Sequence, residues 1–326
     1  MNTTTNAPGD GAAVAAAPKR FTFDWRRDII YIGFVAVVLV FSILLRDQGF
    51  VSTTSLMNIL RQTAIVTVIA VGMTYVIAAA EIDLSVGSVA GLASVLTAMA
   101  LSQFGLIPGI LAGLLVGAAV GAINGALVAF AKIPSFLVTL AMMGITFGVA
   151  QWITSSAPQP ILNMTYNNVF GGSSVGPVPV LILWMLVVVT VGSVVLKKMR
   201  FGRQVLATGA NKVAAEYSGI ATRWIRFRVM LICSIGAALA GMLYAGRLQS
   251  GRFQWGQGDE MNAIAAVILG GTALSGGRGS VVGTFFGALL MATINYGLIL
   301  AGLDTSQQQI IRGLIIVLAV ALARQK

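Results

Sequence analysis

Histidine is absent from the 326 residues, cysteine occurs once, at Cys233 inside an apolar run, and only 10% of the side chains are charged. Without imidazole there is no histidine acid, base or metal ligand. With a single cysteine there is no disulfide within the chain and no zinc or haem site of the usual kinds. The shortage of charge, set against 57% hydrophobic residues and a mean hydropathy of +0.90, leaves too little polar surface for a water-soluble fold. A cytosolic enzyme, a collagen-like chain and a wholly disordered one are excluded. The chain reads as an integral membrane protein, with Cys233 as inert filler of its core.

The charge that is present is mostly positive: 21 Lys and Arg against 10 Asp and Glu, a net +11. In a soluble protein this would point to nucleic acid, but the cations sit beside apolar runs. They cluster at Lys19, Arg20, Arg26 and Arg27, and again at Lys197, Lys198, Arg200, Arg203, Lys212, Arg223, Arg226 and Arg228. Such placement sets membrane orientation, and no nucleic-acid partner is expected.

Residues 1–18 are rich in Ala, Thr, Asn and Gly and carry no apolar period, so residues 1–20 are expected to form a disordered tail, and 21–326 a single membrane domain. Apolar blocks follow at about 29–45, 63–80, 86–102, 108–130, 134–154, 178–196, 227–246, 262–274, 281–302 and 308–323. The first is about 25 Å long as a helix, marginal but spanning. A signal peptide is the competing reading, yet no small-x-small cleavage site precedes Arg46-Asp47-Gln48.

Ten blocks predict an all-α polytopic bundle of about ten spans with both termini cytoplasmic. In that arrangement only Arg46, Arg61, Arg247, Arg252 and Arg312 fall on or near the outer side. Several blocks are short or broken by glycine, as in helices that stop part-way inside a bundle. The outer loops at about 155–177 and 249–260 are polar and could dock a soluble partner or simply connect helices.

The inner connection over 196–226 contains a short helix, with Asn211 at its N-cap and Gly219 beyond its C-terminus. Two turns are too short to be stable alone in water, so this helix requires a surface: another protein, its own bundle or the headgroups.

Glycines at 109, 113, 117, 121 and 125 recur every fourth residue and give one helix a flat ridge for close packing, a device repeated at Gly279, Gly283 and Gly287. Gly113, Gly117, Gly121, Gly283 and Gly287 are therefore expected at helix contacts.

Two carboxylates, Glu81 and Asp83, interrupt apolar sequence just before Ser85. Asp83 or Ser85 suits the N-cap of the next helix, and Glu81 is free to face an aqueous path or a cytoplasmic partner. With Asn124, Gln151 and Asn295 these residues are the candidates for a polar translocation path, although each also suits interhelical hydrogen bonding. No G-x-x-x-x-G-K-[ST] phosphate loop occurs, so any use of ATP falls to a partner. The Gly-rich stretch 270–280 lacks the lysine of such a loop and reads as a tight inner turn.

Three stretches together resemble the sugar permease family of ATP-binding-cassette importers, of ribose, arabinose, xylose and galactose type. Ile82-Asp83-Leu84-Ser85-Val86-Gly87-Ser88 resembles the signature after the second span. Gly209-Ala210-Asn211 with Ala214-Ala215 and Ser218-Gly219-Ile220 resembles the ATPase-contacting loop, and Ala263 to Thr272 through Gly283 resembles the C-terminal signature. The match runs from residue 29 to the end. It implies an inner-membrane homodimer, ATP-hydrolysing partner subunits docked inside, and a periplasmic sugar-binding protein docked outside.

The resemblance further implies that Gly209, Asn211, Ala214, Ala215, Glu216, Ser218 and Gly219 form the coupling helix and its edges. The cargo it implies is a pentose, hexose or related polyol of ribose type, moved without a cofactor or metal of the chain's own and without catalysis by the chain. Glu81 stands where many members carry glycine, which leaves the sugar subgroup open. Ion-gradient-driven transport of a small polar solute is the alternative, with Glu81 and Asp83 as its carboxylates.

Overall fold

The structure, a computed structural model, describes residues 25–324, with side chains from 32 to 317; the expected tail over 1–20 lies outside the described residues. Each of the ten apolar blocks coincides with a helix: α1 (Trp25–Leu44), α2 (Thr53–Ala78), α3 (Val86–Phe104), α4 (Leu106–Ala129) and α5 (Ser135–Ile153) come first. A polar connection follows, made of the one-turn α6 (Met164–Asn167), a π turn over Asn168–Gly172, and strands β1 (Gln159–Pro160), β2 (Ser174–Val175) and β3 (Val178–Pro179). Beyond it lie α7 (Val180–Lys198), α8 (Arg200–Ala210), α9 (Lys212–Tyr217), α10 (Thr222–Leu248), β4 (Ser250–Gly251), α11 (Asp259–Leu269), α12 (Val281–Leu300) and α13 (Thr305–Arg324).

Among the described residues, seven helices, α2, α3, α4, α5, α7, α10 and α12, are long and apolar enough to cross a membrane, and α1 adds an apolar stretch over Ile32–Leu44. The block at 262–274 differs from the others. Its helix α11 has eleven residues, about 16 Å, half the hydrocarbon thickness, so it cannot cross unaided.

Helices α2, α3, α10 and α12 bury most of their apolar length, while α4, α5 and α7 bury a third or less. The inner group is therefore packed on protein, and the outer helices leave apolar faces such as Leu115, Leu140 and Val187 exposed, as hydrocarbon solvent permits.

Helix α10 packs most extensively on α4, and the glycine ridge explains how. A Cβ added to Gly117 would come within 2.6 Å of the Ser234 carbonyl, one at Gly121 within 2.8 Å of Leu231 Cα, and one at Gly125 within 2.8 Å of the Phe227 carbonyl. Gly113 faces Thr97 and Met242, Gly283 lies on the Gly270 carbonyl, and Gly287 on that of Ala266. Backbones approach here at distances no side chain allows.

Polar groups inside the bundle are largely paired. The Tyr166 hydroxyl donates to the Met242 carbonyl at 2.9 Å, and Thr74 and Thr284 share a hydrogen bond of 2.8 Å. β1 pairs antiparallel with β4, Gln159 opposite Gly251, tying two distant loops together at the end away from the lysine and arginine cluster.

Candidate functional site

Two breaks in helical structure organise the interior. The first follows α2. Ala80 turns the chain at φ 61°, and residues 81–85 run without helical bonds before α3 begins. Glu81 forms an ion pair with Arg226, the fifth residue of α10, whereas Ala90, the fifth residue of α3, packs on Gly241, the twentieth of α10. The break therefore carries the chain along α10, from near its start towards its middle, before α3 begins. Ser85, the last residue of the break, is already in the right-handed helical region at φ −81°, ψ −9°.

Neighbours satisfy the unwound backbone. The Ile82 N–H donates to Ser135 Oγ at 3.1 Å, and Thr139 Oγ1 donates to the Ile82 carbonyl at 3.4 Å. Asp83 Oδ1 accepts from the Ser85 N–H at 2.9 Å and from Ser85 Oγ at 2.6 Å, and Asn124 Nδ2 donates to Ser85 Oγ at 3.0 Å. Asp83, rather than Ser85, thus satisfies the entry to α3, because the Ser85 side chain makes no capping bond. These three candidates come together in a buried knot.

Gln151 lies apart, exposed and donating to Ser156 Oγ at 3.3 Å. Asn295 is buried on α12.

The second break precedes α11. Residues 250–258 fold back into the bundle along α3: a Cβ at Gly91 would come within 3.1 Å of the Phe253 carbonyl carbon, and one at Gly256 within 2.7 Å of the Gly87 carbonyl. Ser94 Oγ serves both backbone groups of Arg252, accepting from its N–H at 3.2 Å and donating to its carbonyl at 3.0 Å. Positive φ angles at Gly256 and Gly258 are the turns this fold-back requires.

Where the two breaks meet there is a cavity of about 240 Å³, half-way along α5. Ser88, Gln257 and Glu260 give it polar groups, and Met143, Phe147 and Phe253 give it apolar walls. None of the sequence-derived path candidates lines it. Glu260 and Gln257 fall in the polar stretch 249–260, which reads in the sequence as an outer loop and not as part of the interior. A pair of glycines, 256 and 258, with two acidic residues directly after them was the only cue.

At the basic end, α9 is closed on both sides. Asn211 Oδ1 accepts from the Ala214 N–H at 3.0 Å, and the far end carries the paired bonds of a Schellman motif: Gly219 N–H to the Glu216 carbonyl at 2.9 Å and Ile220 N–H to that of Ala215 at 3.0 Å, with Gly219 at φ 80°. Thr222 Oγ1 donates to Glu216 Oε1 at 2.5 Å, and Ser218 Oγ to the Ala214 carbonyl at 2.9 Å. Ala215 is buried, but Val213 and Tyr217 are 60% and 90% exposed.

The amphipathic α8, unforeseen in the sequence, carries this unit against the bundle through Val205, Thr208 and Gly209. Gly209 has no room for a side chain, since a Cβ would fall on the Ala78 carbonyl at the end of α2, and that carbonyl also accepts from the Gly277 N–H at 3.0 Å. A Cβ at Gly277 would meet Ala210 Cα at 2.7 Å, and one at Gly276 the Gly209 carbonyl at 2.8 Å. Three chain segments, the ends of α2 and α8 and the turn after α11, therefore meet through backbone and the methyl groups of Ala80 and Ala210.

Replacing Gly209 by valine is expected to cost about 3 kcal/mol or more, because backbone cannot step aside. Thermal unfolding in detergent measures it, and an unchanged Tm would show that the junction gives way.

Comparison with known proteins agrees with this architecture. The chain is 38% identical over 312 residues to the ribose import permease protein RbsC of Bacillus subtilis, covering 94% of this chain and 96% of the relative. It is 40% identical over 299 residues to the probable ABC transporter permease protein YphD of Escherichia coli, covering 90% and 89%. To the xylose transport system permease protein XylH of Haemophilus influenzae it is 31% identical over 348 residues, covering 88% and 93%. No solved structure matches. A family model described as branched-chain amino acid transport system, permease component, matches residues 55–320, and with helices that pack by their glycines around two unwound segments, the chain belongs to that family of membrane permeases.

Proposed function

We propose that the chain is the membrane-crossing subunit of an ATP-binding-cassette importer that takes up a sugar of ribose type. The observation that carries the reading is α9, a doubly capped two-turn helix at the basic end that holds Val213 and Tyr217 out into water. An apolar pair so displayed is a docking face for another protein. The absence of a phosphate loop makes an ATPase the partner of choice.

In this reading the basic end is cytoplasmic, by the excess of Lys and Arg there. The ten helices make ten traverses, with both termini inside, if the fold-back at 250–258, α11 and the turn after it together count as one. Two copies assemble, and a periplasmic binding protein delivers the sugar to the opposite end. Asn211 and Gly219 fix the ends of α9, Ala214, Ala215, Glu216 and Ser218 seat it, and Gly209 couples it to the turn after α11. ATP binding shifts the dimer only insofar as the ATPases bind its states differently, and the loaded binding protein is linked to the same equilibrium from outside.

The family description names branched-chain amino acids, but the relatives that cover nearly the whole chain are named for ribose and xylose, which supports a sugar as cargo. In vesicles holding the complete transport system, uptake of labelled ribose is expected to require ATP, to stop with vanadate, to persist with a protonophore at constant ATP, and to ignore excess leucine. Uptake abolished by the protonophore at constant ATP would favour the ion-gradient alternative. Competition by leucine would overturn the sugar reading.

A further inference from the structure

The geometry points to the cavity between the two breaks as a sugar-contacting subsite within the permease itself, with Glu260, Gln257 and Ser88 taking the hydroxyl groups and Phe147 and Phe253 the carbon face. This rests on the importer reading above and names the groups that touch the cargo in transit. The lining is chemically mixed. Phe147 and Phe253 stand edge to face, with ring centroids 5.2 Å apart, and with Met143 they form an apolar wall. Ser88, Gln257 and Glu260 supply its polar groups.

A pyranose or furanose has the same mixed character, with C–H groups on its faces and hydroxyls around its rim. The volume, about 240 Å³, lies below the roughly 300–1,000 Å³ of sites for drug-sized ligands, as suits a single small solute.

The polar groups are also held ready. Ser88 Oγ accepts from Thr146 Oγ1 at 2.7 Å and donates to the Ser85 carbonyl at 2.9 Å, which fixes its position and leaves a lone pair. The glycines behind the site have a purpose in this arrangement: a side chain on Gly87 would strike Glu260 Oε2 and the Gly256 carbonyl, so only glycine lets the carboxylate stand where it does. A carboxylate oxygen accepting from a hydroxyl is a charge-assisted bond, stronger than a neutral one. The subsite needs few contacts, since a site that bound tightly would not release.

The test is Glu260→Gln in the full chain, reconstituted in vesicles with the ATPase and binding protein of its own system and supplied with labelled ribose. Uptake is expected to fall about tenfold or more, the usual effect of losing one charge-assisted hydrogen bond, while ATP hydrolysis stimulated by loaded binding protein stays within about twofold of the parent. Uptake unchanged in Glu260→Gln, with normal uptake by the parent, overturns the subsite alone. Uptake and stimulated hydrolysis falling together overturn it as well, because Glu260 would then serve the conformational change and not the cargo. Parent complex that hydrolyses ATP but moves no ribose overturns the importer reading and the subsite with it. Should Glu260→Gln fail to assemble, Gln257→Ala decides at an exposed position: uptake about threefold lower at unchanged hydrolysis supports the subsite, and unchanged uptake removes it.

Discussion

Exchanging Val213 for aspartate and Tyr217 for alanine together is expected to abolish ATP-dependent uptake and to release the ATPase during purification, with the helical bundle unaltered. The two side chains stand four residues apart on one face of α9, where helical geometry stacks them into a single patch. They are more than half exposed while Ala215, on the other face, is buried. A six-residue helix has too little length to hold itself in water, yet this one is closed by an Asn cap and a Schellman turn and braced by the Glu216 to Thr222 hydrogen bond. Such reinforcement presents the patch at fixed geometry, as a hot spot for a partner requires.

Burying a valine and a tyrosine stabilises a complex by roughly 3–6 kcal/mol in total, so the double variant should weaken the assembly by about two to four orders of magnitude. Neither residue supports the bundle, so its thermal unfolding should move little. Co-purification of the ATPase and its hydrolysis rate are the measurements. Normal assembly of the variant would show that the partner grips another surface.

Breaking the Glu81 to Arg226 pair should have the second-largest effect. Both side chains are nearly out of solvent, 12% exposed for Arg226 and 10% for Glu81, and they join the unwound segment to the first turn of α10. Removing one partner leaves a buried charge alone and costs about 3–5 kcal/mol, whereas removing both leaves none and is often neutral. Glu81→Leu or Arg226→Leu alone should therefore lower Tm and the yield of folded protein sharply, while the double leucine variant recovers most of the loss. Equal losses in the single and double variants would mean that the pair's packing, not its charge, stabilises the junction. If the double variant is stable but slow in uptake, the pair also holds the level at which α3 begins.

Much of this was legible along the chain, and the reason is periodicity. Apolar blocks of spanning length, the four-residue glycine spacing and the Asn211 and Gly219 boundaries are local patterns, each set by helix geometry over fewer than thirty residues. The burial of Asp83 beside Ser85 was foreshadowed by a carboxylate next to apolar sequence. What escaped depends on distant partners. Glu81 finds Arg226 145 residues away, and no local rule links them. The polar cavity draws Ser88 from one break, Gln257 and Glu260 from another, and Phe147 from a third helix, so none of its members stands out within its own neighbourhood. The apolar block 262–274 runs past the end of α11 at Leu269, because hydropathy does not register where helical hydrogen bonding stops. Val213 and Tyr217 look like ordinary core residues until the structure leaves them facing water.

The meeting of Ala78, Gly209 and Gly277 has a mechanical consequence. Side chains are the compliant part of a protein interface: they change rotamer and absorb small motions, as oil films do between moving plates. Here the only ones are the methyl groups of Ala80 and Ala210, which have no rotamer to change. Main chain rests on main chain or on a methyl group in three directions, so a small displacement imposed on α8 has little cushion in which to dissipate. On the importer reading proposed above, a shift of α9 is therefore felt with little loss at the end of α2 and at the turn after α11.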